Sequence, residues 1–143
     1  MTVRELGPGE THLAAAALLE LRPHYDAASL VRRVDELQRV GGFRLAASFA
    51  EGEEEAAAAA GFRILENLAW GRALYVDDLS TRAADRGAGH ADALFTWLGE
   101  EAERAGCEQF HLDSGVIPER EAAHRFYFNH RLRISAYHFH RAV

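Results

Sequence analysis

The sequence contains no lysine, because all 16 of its basic residues are arginine. Without a lysine amine the protein cannot form a Schiff base with pyridoxal phosphate or build a Walker-type phosphate loop, so both enzyme classes are excluded. Cysteine is limited to Cys107 and proline to three residues. An internal disulfide is therefore impossible, and a proline-rich disordered chain is excluded.

Long apolar runs and an excess of positive charge are also missing. The longest apolar stretch surrounds residues 56–60, far short of the ~20 residues that a membrane-spanning helix needs. The opening residues MTVRELGPGE lack the apolar core of a secretory signal. With 22 acidic residues against 16 basic ones, the net charge of -6 argues against nucleic acid or anionic lipid as a partner. We expect a cytoplasmic protein without a membrane partner, whose acidic surface suits an amine-bearing ligand.

The residues that are there are typical of one folded domain. The 143 residues are 48% apolar and 27% charged, which is enough to bury a core. They show no internal repeat, linker or boundary in composition. We therefore expect residues 1–143 to form a single domain.

Hydrophobic periodicity predicts alternating strands and helices along the chain. The predicted strands cover residues 2–6, 43–50, 62–69, 73–81, 109–113 and 132–143, and the predicted helices cover residues 10–21, 27–40, 89–105 and 118–129. Three consecutive strands without helices between them favour an antiparallel meander. The order β-α-α-β-β-β-α-β-α-β predicts an α/β (α+β) protein whose mixed, mainly antiparallel central sheet is flanked by helices.

A glycine-rich segment joins the fourth predicted strand to the third predicted helix. It reads Arg86-Gly87-Ala88-Gly89-His90-Ala91. Its glycines allow close backbone approach to a ligand, and the free amides at a helix N-terminus favour a phosphate group there, with Arg86 adding positive charge. A dinucleotide-binding motif would need a third glycine where Asp92 stands. Tight-turn glycines without a ligand remain the alternative.

The spacing Arg86-x-x-Gly89-x-Ala91 resembles the R/Q-x-x-G-x-G/A motif of the GNAT superfamily of N-acetyltransferases, and the order of elements resembles that of the superfamily as well. The resemblance implies acetyl-coenzyme A (acetyl-CoA) as co-substrate. It also implies that the end of the fourth strand offers backbone groups to the pantetheine arm and that the glycine segment binds the pyrophosphate. The residues implied in cofactor binding are Leu79, Ser80, Thr81, Arg86, Gly87, Ala88, Gly89, His90 and Ala91.

A second segment, Ala123-His124-Arg125-Phe126-Tyr127, resembles the A-x-x-h-Y segment of the same superfamily. The resemblance implies that Tyr127 is the general acid that protonates the coenzyme A sulfur. Two positions depart from the pattern, because Arg120 stands where asparagine is usual and Arg131-Leu132 replaces Gly-Phe. The C-terminal part is also loosely similar to aminoalkylphosphonate acetyltransferases, which implies a small amine acceptor.

An amine acceptor needs a base, because an alkylamine with a pKa of ~10.4 costs roughly 4 to 5 kcal/mol to deprotonate at neutral pH. Strict alternation places Asp77 and Asp78 on opposite faces of their strand. We select Asp77 as the base, with Glu66 as a cross-strand neighbour whose repulsion would raise a carboxyl pKa. The alternative that these acids only form ion pairs with Arg63 or Arg72 stays open.

Histidine and cysteine carry weaker signals. The chain has eight histidines, but none falls in a spacing typical of structural zinc, so we expect no metal. We expect Cys107 to be a buried small residue without a catalytic role.

The prediction is an N-acetyltransferase that moves the acetyl group of acetyl-CoA directly to a primary amine of a small molecule within a ternary complex. The alternatives are a non-catalytic acyl-CoA-binding sensor or interaction module, and a protein or peptide N-acetyltransferase. An exposed edge on the last predicted strand would allow a homodimer.

Overall fold

The computed structural model describes all 143 residues, in two compact units, Met1–His111 and Leu112–Val143. The strands are β1 (Thr2–Leu6), β2 (Arg44–Phe49), β3 (Ala58–Asn67), β4 (Gly71–Thr81) and β5 (Gln109–Leu112). The α-helices are α1 (Ala15–Leu21), α2 (Ala27–Arg33), α3 (His90–Arg104) and α4 (Glu121–Asn129). The predicted mixed α/β fold is confirmed, and the predicted order of elements holds from β1 to α4.

The strands form one sheet in the order β1-β2-β3-β4-β5. The first four are paired antiparallel, as the predicted meander requires. β3 and β4 form the longest pairing, from Ala58 opposite Thr81 to Asn67 opposite Gly71. One irregularity interrupts it, because Gly61 pairs with Asp78 while Phe62 pairs with Val76. Asp77 is therefore an extra residue in β4, which makes a β-bulge.

The core lies between the sheet and the helices that contact it, α1 on β3 and β4 and α3 on β2, β3 and β4. Helix α3 buries Leu94 and Leu98, and α1 buries Leu18. The alanine run of residues 56–60 is completely buried, and β3 starts inside it, four residues before the predicted start at residue 62. The small side chains fill a central strand whose two faces are both covered.

The helical segments before β2 are less regular than predicted. Pro8–Ala14 form a 3₁₀ helix that leads into α1, and α2 continues through a π turn at Val34–Gln38. The predicted stop at the glycine pair is confirmed, because Gly42 has a φ of +95° and caps the last turn.

The second unit contains a 3₁₀ turn at Pro118–Arg120 and helix α4. The predicted strand at residues 132–143 is wrong, because no residue after β5 belongs to a strand. Both alternating faces of this segment are exposed, including Ile134 at 75%, Tyr137 at 87% and Phe139 at 90%. Alternation favours a strand only where one face is buried, and this segment has no buried face. The edge predicted for a homodimer is absent with it.

No helix in the structure combines the length and the apolar character needed to cross a lipid bilayer.

Candidate active site

The glycine segment is a loop that leads from β4 into α3. A 3₁₀ turn at Ala83–Asp85 follows β4, and then Gly87 and Gly89 adopt φ angles of +80° and +89°. Other residues rarely adopt this left-handed backbone, so conformation rather than crowding requires the glycines. A Cβ atom added at Gly87 would meet nothing within 4 Å. The backbone on this side of the loop is therefore open to a ligand.

The loop ends as the N-cap of a long helix. Gly89 is the N-cap residue of α3, which has 15 residues. The first amides of a helix have no partner within it, and the helix dipole adds positive potential at this end. Arg86 is close by in sequence, with a side chain that is 63% exposed and one contact of 3.6 Å to Glu20. This arrangement suits an anion of the phosphate type.

The side chain of His90 is not part of the open loop surface. It is only 4% exposed, and its Nδ1 atom lies 2.8 Å from Oγ of Ser48, which is fully buried. This hydrogen bond ties the first turn of α3 to β2. Any contribution of His90 to ligand binding is therefore limited to its backbone amide.

The end of β4 that precedes the loop has a free edge. β5 has four residues against eleven in β4, and it starts next to Arg72, whose carbonyl accepts a hydrogen bond of 2.8 Å from the Glu108 amide. Four residues of strand span about 13 Å, whereas the seven positions from Arg72 to Leu79 span about 23 Å. Leu79, Ser80 and Thr81 thus have a strand neighbour on the β3 side only.

A cavity of about 350 Å³ opens beside the bulge in β4. Its charged and aromatic lining comes from the end of α1, the turn after it, α2, the residue before β2, and β4. It consists of Arg22, His24, Tyr25, Arg33, Phe43, Asp77 and Asp78. Both adjacent aspartates line it, so the prediction that they face opposite sides of the strand is wrong. The bulge is the reason, because an extra residue shifts the alternation and brings the two side chains to one face.

Asp78 is the more buried of the two carboxylates. Its side chain is 17% exposed and lies opposite Gly61 in the β3 register. Burial raises the pKa of Asp78 above its usual value, and the guanidinium of Arg22, whose Nε atom donates to Oδ1 at 2.7 Å, opposes that rise. Arg22 also donates from Nη2 to the carbonyl of Asp77 at 3.3 Å. Asp78 is therefore a partly desolvated carboxyl group with one exposed partner.

Asp77 is held differently. Arg63 donates from Nε and Nη2 to its two carboxylate oxygens, at 2.7 Å each. The prediction that Glu66 is a cross-strand neighbour of Asp77 is wrong. In the strand register Glu66 lies opposite Arg72, near the exposed end of the hairpin. The pairing of Asp77 with Arg63, which the sequence left open as an alternative, is the one that occurs.

Tyr127 lies on α4 in the second unit. Burial raises the pKa of its hydroxyl, and the positive charge and hydrogen bond of Arg120 oppose that rise. Arg120, the residue in place of the usual asparagine, thus interacts with the predicted acid. Its Nε atom is buried without a hydrogen-bond partner.

The remaining candidates carry no reactive arrangement. Burial raises the pKa of the Cys107 thiol, which disfavours the reactive thiolate. No three histidine, cysteine, aspartate or glutamate side chains lie together as a metal site.

The sequence analysis missed Arg22 and Arg33 as residues of the cavity. Arg22 is the residue just after α1, where arginine is common for helix capping alone. Arg33 is the last residue of α2 before the π turn, where an exposed arginine is common on a solvated helix face. The only signal in the sequence was Pro23, which marks the end of the first helix but not the direction of the side chain before it.

Comparison with known proteins points to one family. The sequence profile of the Acetyltransferase (GNAT) family matches residues 12–130. A solved structure described as a transcriptional regulator from Bacillus halodurans C-125 is similar over 99% of both chains, with a TM-score of 0.83 and 22% identity. No curated protein matches the sequence significantly.

Two acetyltransferase structures with different acceptors in their names are also similar. Ribosomal-protein-alanine N-acetyltransferase from Brucella melitensis biovar Abortus 2308 has a TM-score of 0.82 at 18% identity over 100% of both chains. Glucosamine-6-phosphate N-acetyltransferase from Arabidopsis thaliana has a TM-score of 0.74 at 18% identity, over 99% of this chain and 97% of that chain. At these identities the likeness concerns the fold and leaves the acceptor open.

Proposed function

Because the chain belongs to the acetyltransferase (GNAT) family, we propose that it transfers the acetyl group of acetyl-CoA to a primary amine of a small molecule. Membership makes the protein an acyltransferase of this family. The choice of acetyl-CoA and of a small amine rests on the chemistry of the loop and the cavity.

The observation that carries the proposal is the order of features along β4. The cavity with its two carboxylates lies at Asp77 and Asp78, and the free strand edge follows at Leu79–Thr81. The glycine loop and the N-terminus of α3 come next. An amide-containing pantetheine arm can pair with a free strand edge, and a pyrophosphate suits a helix N-terminus. This supports a coenzyme A site immediately next to an acceptor site.

The same adjacency supports direct transfer with both substrates bound. Acetyl-CoA supplies an activated thioester, and no acyl-enzyme is needed when the amine can reach it in one complex. The raised pKa of Cys107 also argues against a thiolate that would carry the acetyl group. Starting from the ammonium form of the acceptor, the net change is one new N–C bond and one broken C–S bond, with one proton moved from nitrogen to sulfur and one released to solvent through the base.

We assign the base role to Asp78 in place of Asp77. Both oxygens of Asp77 accept hydrogen bonds from Arg63, whereas only one oxygen of Asp78 is bound by Arg22 in the cavity. A desolvated carboxyl with a raised pKa is also better matched to accepting a proton from an ammonium group near neutral pH. Glu66 lies on the exposed end of the hairpin and receives no role.

Tyr127 keeps the acid role that the family resemblance implies, on the chemistry of its own side chain. Because burial raises the pKa of its hydroxyl, the group is protonated at neutral pH and can donate to a departing thiolate. Tyr127→Phe should slow turnover without weakening coenzyme A binding.

The test of the cofactor site combines thiol release from acetyl-CoA with a thermal-shift titration of coenzyme A. Gly89→Trp and Arg86→Glu should abolish coenzyme A binding, because they fill the open loop and reverse its charge. Arg32→Glu is the matched control, since it makes the same charge change at an exposed arginine that forms no ion pair. Unchanged affinity in the first two variants would refute the cofactor site.

The base assignment is tested by comparing two isosteric variants. Asp78→Asn should lower kcat at all pH values and remove the acidic limb of its pH profile. Asp77→Asn should retain that limb, because Asp77 serves to hold Arg63. Loss of the limb in Asp77→Asn but not in Asp78→Asn would assign the base role to Asp77.

The alternatives are outcomes of the same assays. Binding of coenzyme A without turnover on any amine would favour the sensor, and turnover only on peptides would favour a protein acetyltransferase. The family match runs through both compact units, which supports the proposal that residues 1–143 act as one domain.

A further inference from the structure

The charges around the acceptor cavity do not cancel. The cavity wall contains two arginines, Arg22 and Arg33, and two aspartates, Asp77 and Asp78. Arg22 forms an ion pair with Asp78. A third arginine, Arg63, lies next to the wall and forms an ion pair with Asp77. The group therefore carries one excess positive charge, in a chain whose net charge is -6. Positive charge concentrated in one cavity of an acidic protein favours an anionic group in the ligand.

The excess charge belongs to Arg33. Arg22 pairs with Asp78 and Arg63 pairs with Asp77, whereas Arg33 lines the cavity with no hydrogen bond or ion pair. It is the last residue of α2, and its exposed side chain is free to reorient toward a bound group. A guanidinium binds carboxylates and phosphonates through two parallel hydrogen bonds.

Arg22 adds a second donor for the same ligand. Its side chain is 44% exposed, and its contact with Asp78 uses the Nε atom. The outer nitrogens thus remain available on the solvent side, apart from the 3.3 Å bond from Nη2 to the Asp77 carbonyl. An acceptor bound in the cavity would meet the carboxylate of Asp78, the guanidinium of Arg22 directly beside it and the unpaired guanidinium of Arg33 on the same cavity wall.

We propose that the acceptor is a zwitterion, a primary amine that also carries a carboxylate, phosphonate or similar anionic oxygen group, with its amine at Asp78 and its anionic group at Arg33 and Arg22. This inference rests on the proposed function and adds the substrate class. In this role Arg33 selects the acceptor and takes no part in proton transfer.

The test uses three acceptors with the same spacing between their end groups. β-Alanine has an anionic end group, β-alaninamide a neutral one and 1,3-diaminopropane a cationic one. We expect kcat/KM to fall in that order. Preference for the neutral or cationic acceptor would overturn the inference, while transfer to either of them would leave the acetyltransferase proposal standing.

The residue is tested by Arg33→Gln, with Arg32→Gln as the matched control. Arg32 is the preceding residue of α2, is also exposed and faces a different surface hollow. Loss of a charged hydrogen-bond partner should raise KM for β-alanine roughly tenfold or more, with little change in kcat. Arg33→Lys should recover part of that loss, and neither variant should change KM for β-alaninamide.

A binding measurement makes the result independent of turnover. Calorimetric titration of β-alanine or 3-aminopropylphosphonate into the protein with coenzyme A should give heat of binding that Arg33→Gln removes and Arg32→Gln retains. No binding of either zwitterion, or equal binding to both variants, would refute the anionic subsite. Failure of coenzyme A itself to bind would instead refute the proposed function.

Discussion

Gly61→Ala tests whether the close packing behind the bulge holds the acceptor cavity in shape. A Cβ atom at this position would lie 2.2 Å from Cζ and 2.4 Å from Cε2 of Phe43, and 3.2 Å from Oδ2 of Asp78. Ordinary contact begins at 3.4 Å, so the Phe43 ring would have to move by about 1.2 Å. The ring is 4% exposed and cannot swing into solvent.

The expected cost follows from this clash. Overpacking of a well-packed core destabilises by roughly 1 to 3 kcal/mol, which for a chain of this size lowers Tm by roughly 3 to 10 °C. Urea denaturation of Gly61→Ala measures the free energy of unfolding directly. Gly99→Ala is the matched control, because a Cβ there meets nothing within 4 Å and alanine in a helix stabilises by up to about 1 kcal/mol.

A double variant separates the clash from other effects of the substitution. Phe43→Leu removes the two ring atoms that a Cβ at position 61 would strike, at its own cost of roughly 1 kcal/mol or more from the lost packing. If the clash is the cause, the double variant should be less destabilised than the sum of the two single variants by roughly 1 kcal/mol. Strict additivity, or a Gly61→Ala variant within about 0.5 kcal/mol of the parent, would refute the packing argument.

Three further outcomes are expected. Ser48→Ala should lower the free energy of unfolding by roughly 1 to 3 kcal/mol, because it leaves buried His90 without its partner; a change within error in urea denaturation would contradict this. Arg22→Gln should move the acidic limb of the kcat profile to higher pH, because Arg22 opposes the rise that burial causes in the pKa of Asp78; an unmoved limb would remove Asp78 as the base. Arg120→Gln should raise the pKa of Tyr127 further, seen as a later tyrosinate signal in an ultraviolet titration and absent in Tyr127→Phe.

The raised pKa of Asp78 also sets the sign of a pH effect on stability. The folded state binds this proton more tightly than the unfolded chain, whose aspartate has a pKa near 3.8. The contribution of Asp78 to stability is therefore largest at low pH. It falls as pH rises from 3.8 through the raised folded-state value. Asp78→Asn should remove that decline, and an identical pH dependence of unfolding in both proteins would contradict it.

Sequence patterns predicted most of the fold because most of its elements bury one face and expose the other. The apolar stripe of α3 and the turn around Gly71 gave a helix and a hairpin close to those observed. The last predicted strand failed for the same physical reason. Alternation at residues 132–143 is present, but both sets of side chains are exposed, and periodicity alone carries no information about whether a partner strand exists.

The site was harder to predict than the fold, because its geometry depends on one inserted residue. The glycine motif located the loop, since a left-handed backbone at Gly87 and Gly89 has a direct signature in residue type. The bulge at Asp77 has no such signature. Pairing of β3 with β4 follows one register on the side of the hairpin turn and another on the side of the loop, and the surplus residue lies where the two registers meet.

That surplus residue explains how two adjacent carboxylates come to serve different purposes. A regular strand would send one of them into the opposite face of the sheet, where α3 packs. The bulge brings both carboxylates to the cavity, where their hydrogen-bond partners differ. Arg63 binds both oxygens of Asp77, while Arg22 binds one oxygen of Asp78 from the solvent side. Two unpaired carboxylates in one cavity would repel each other, so the fixed pair at Asp77 lowers the cost of keeping Asp78 partly desolvated beside the free edge of β4.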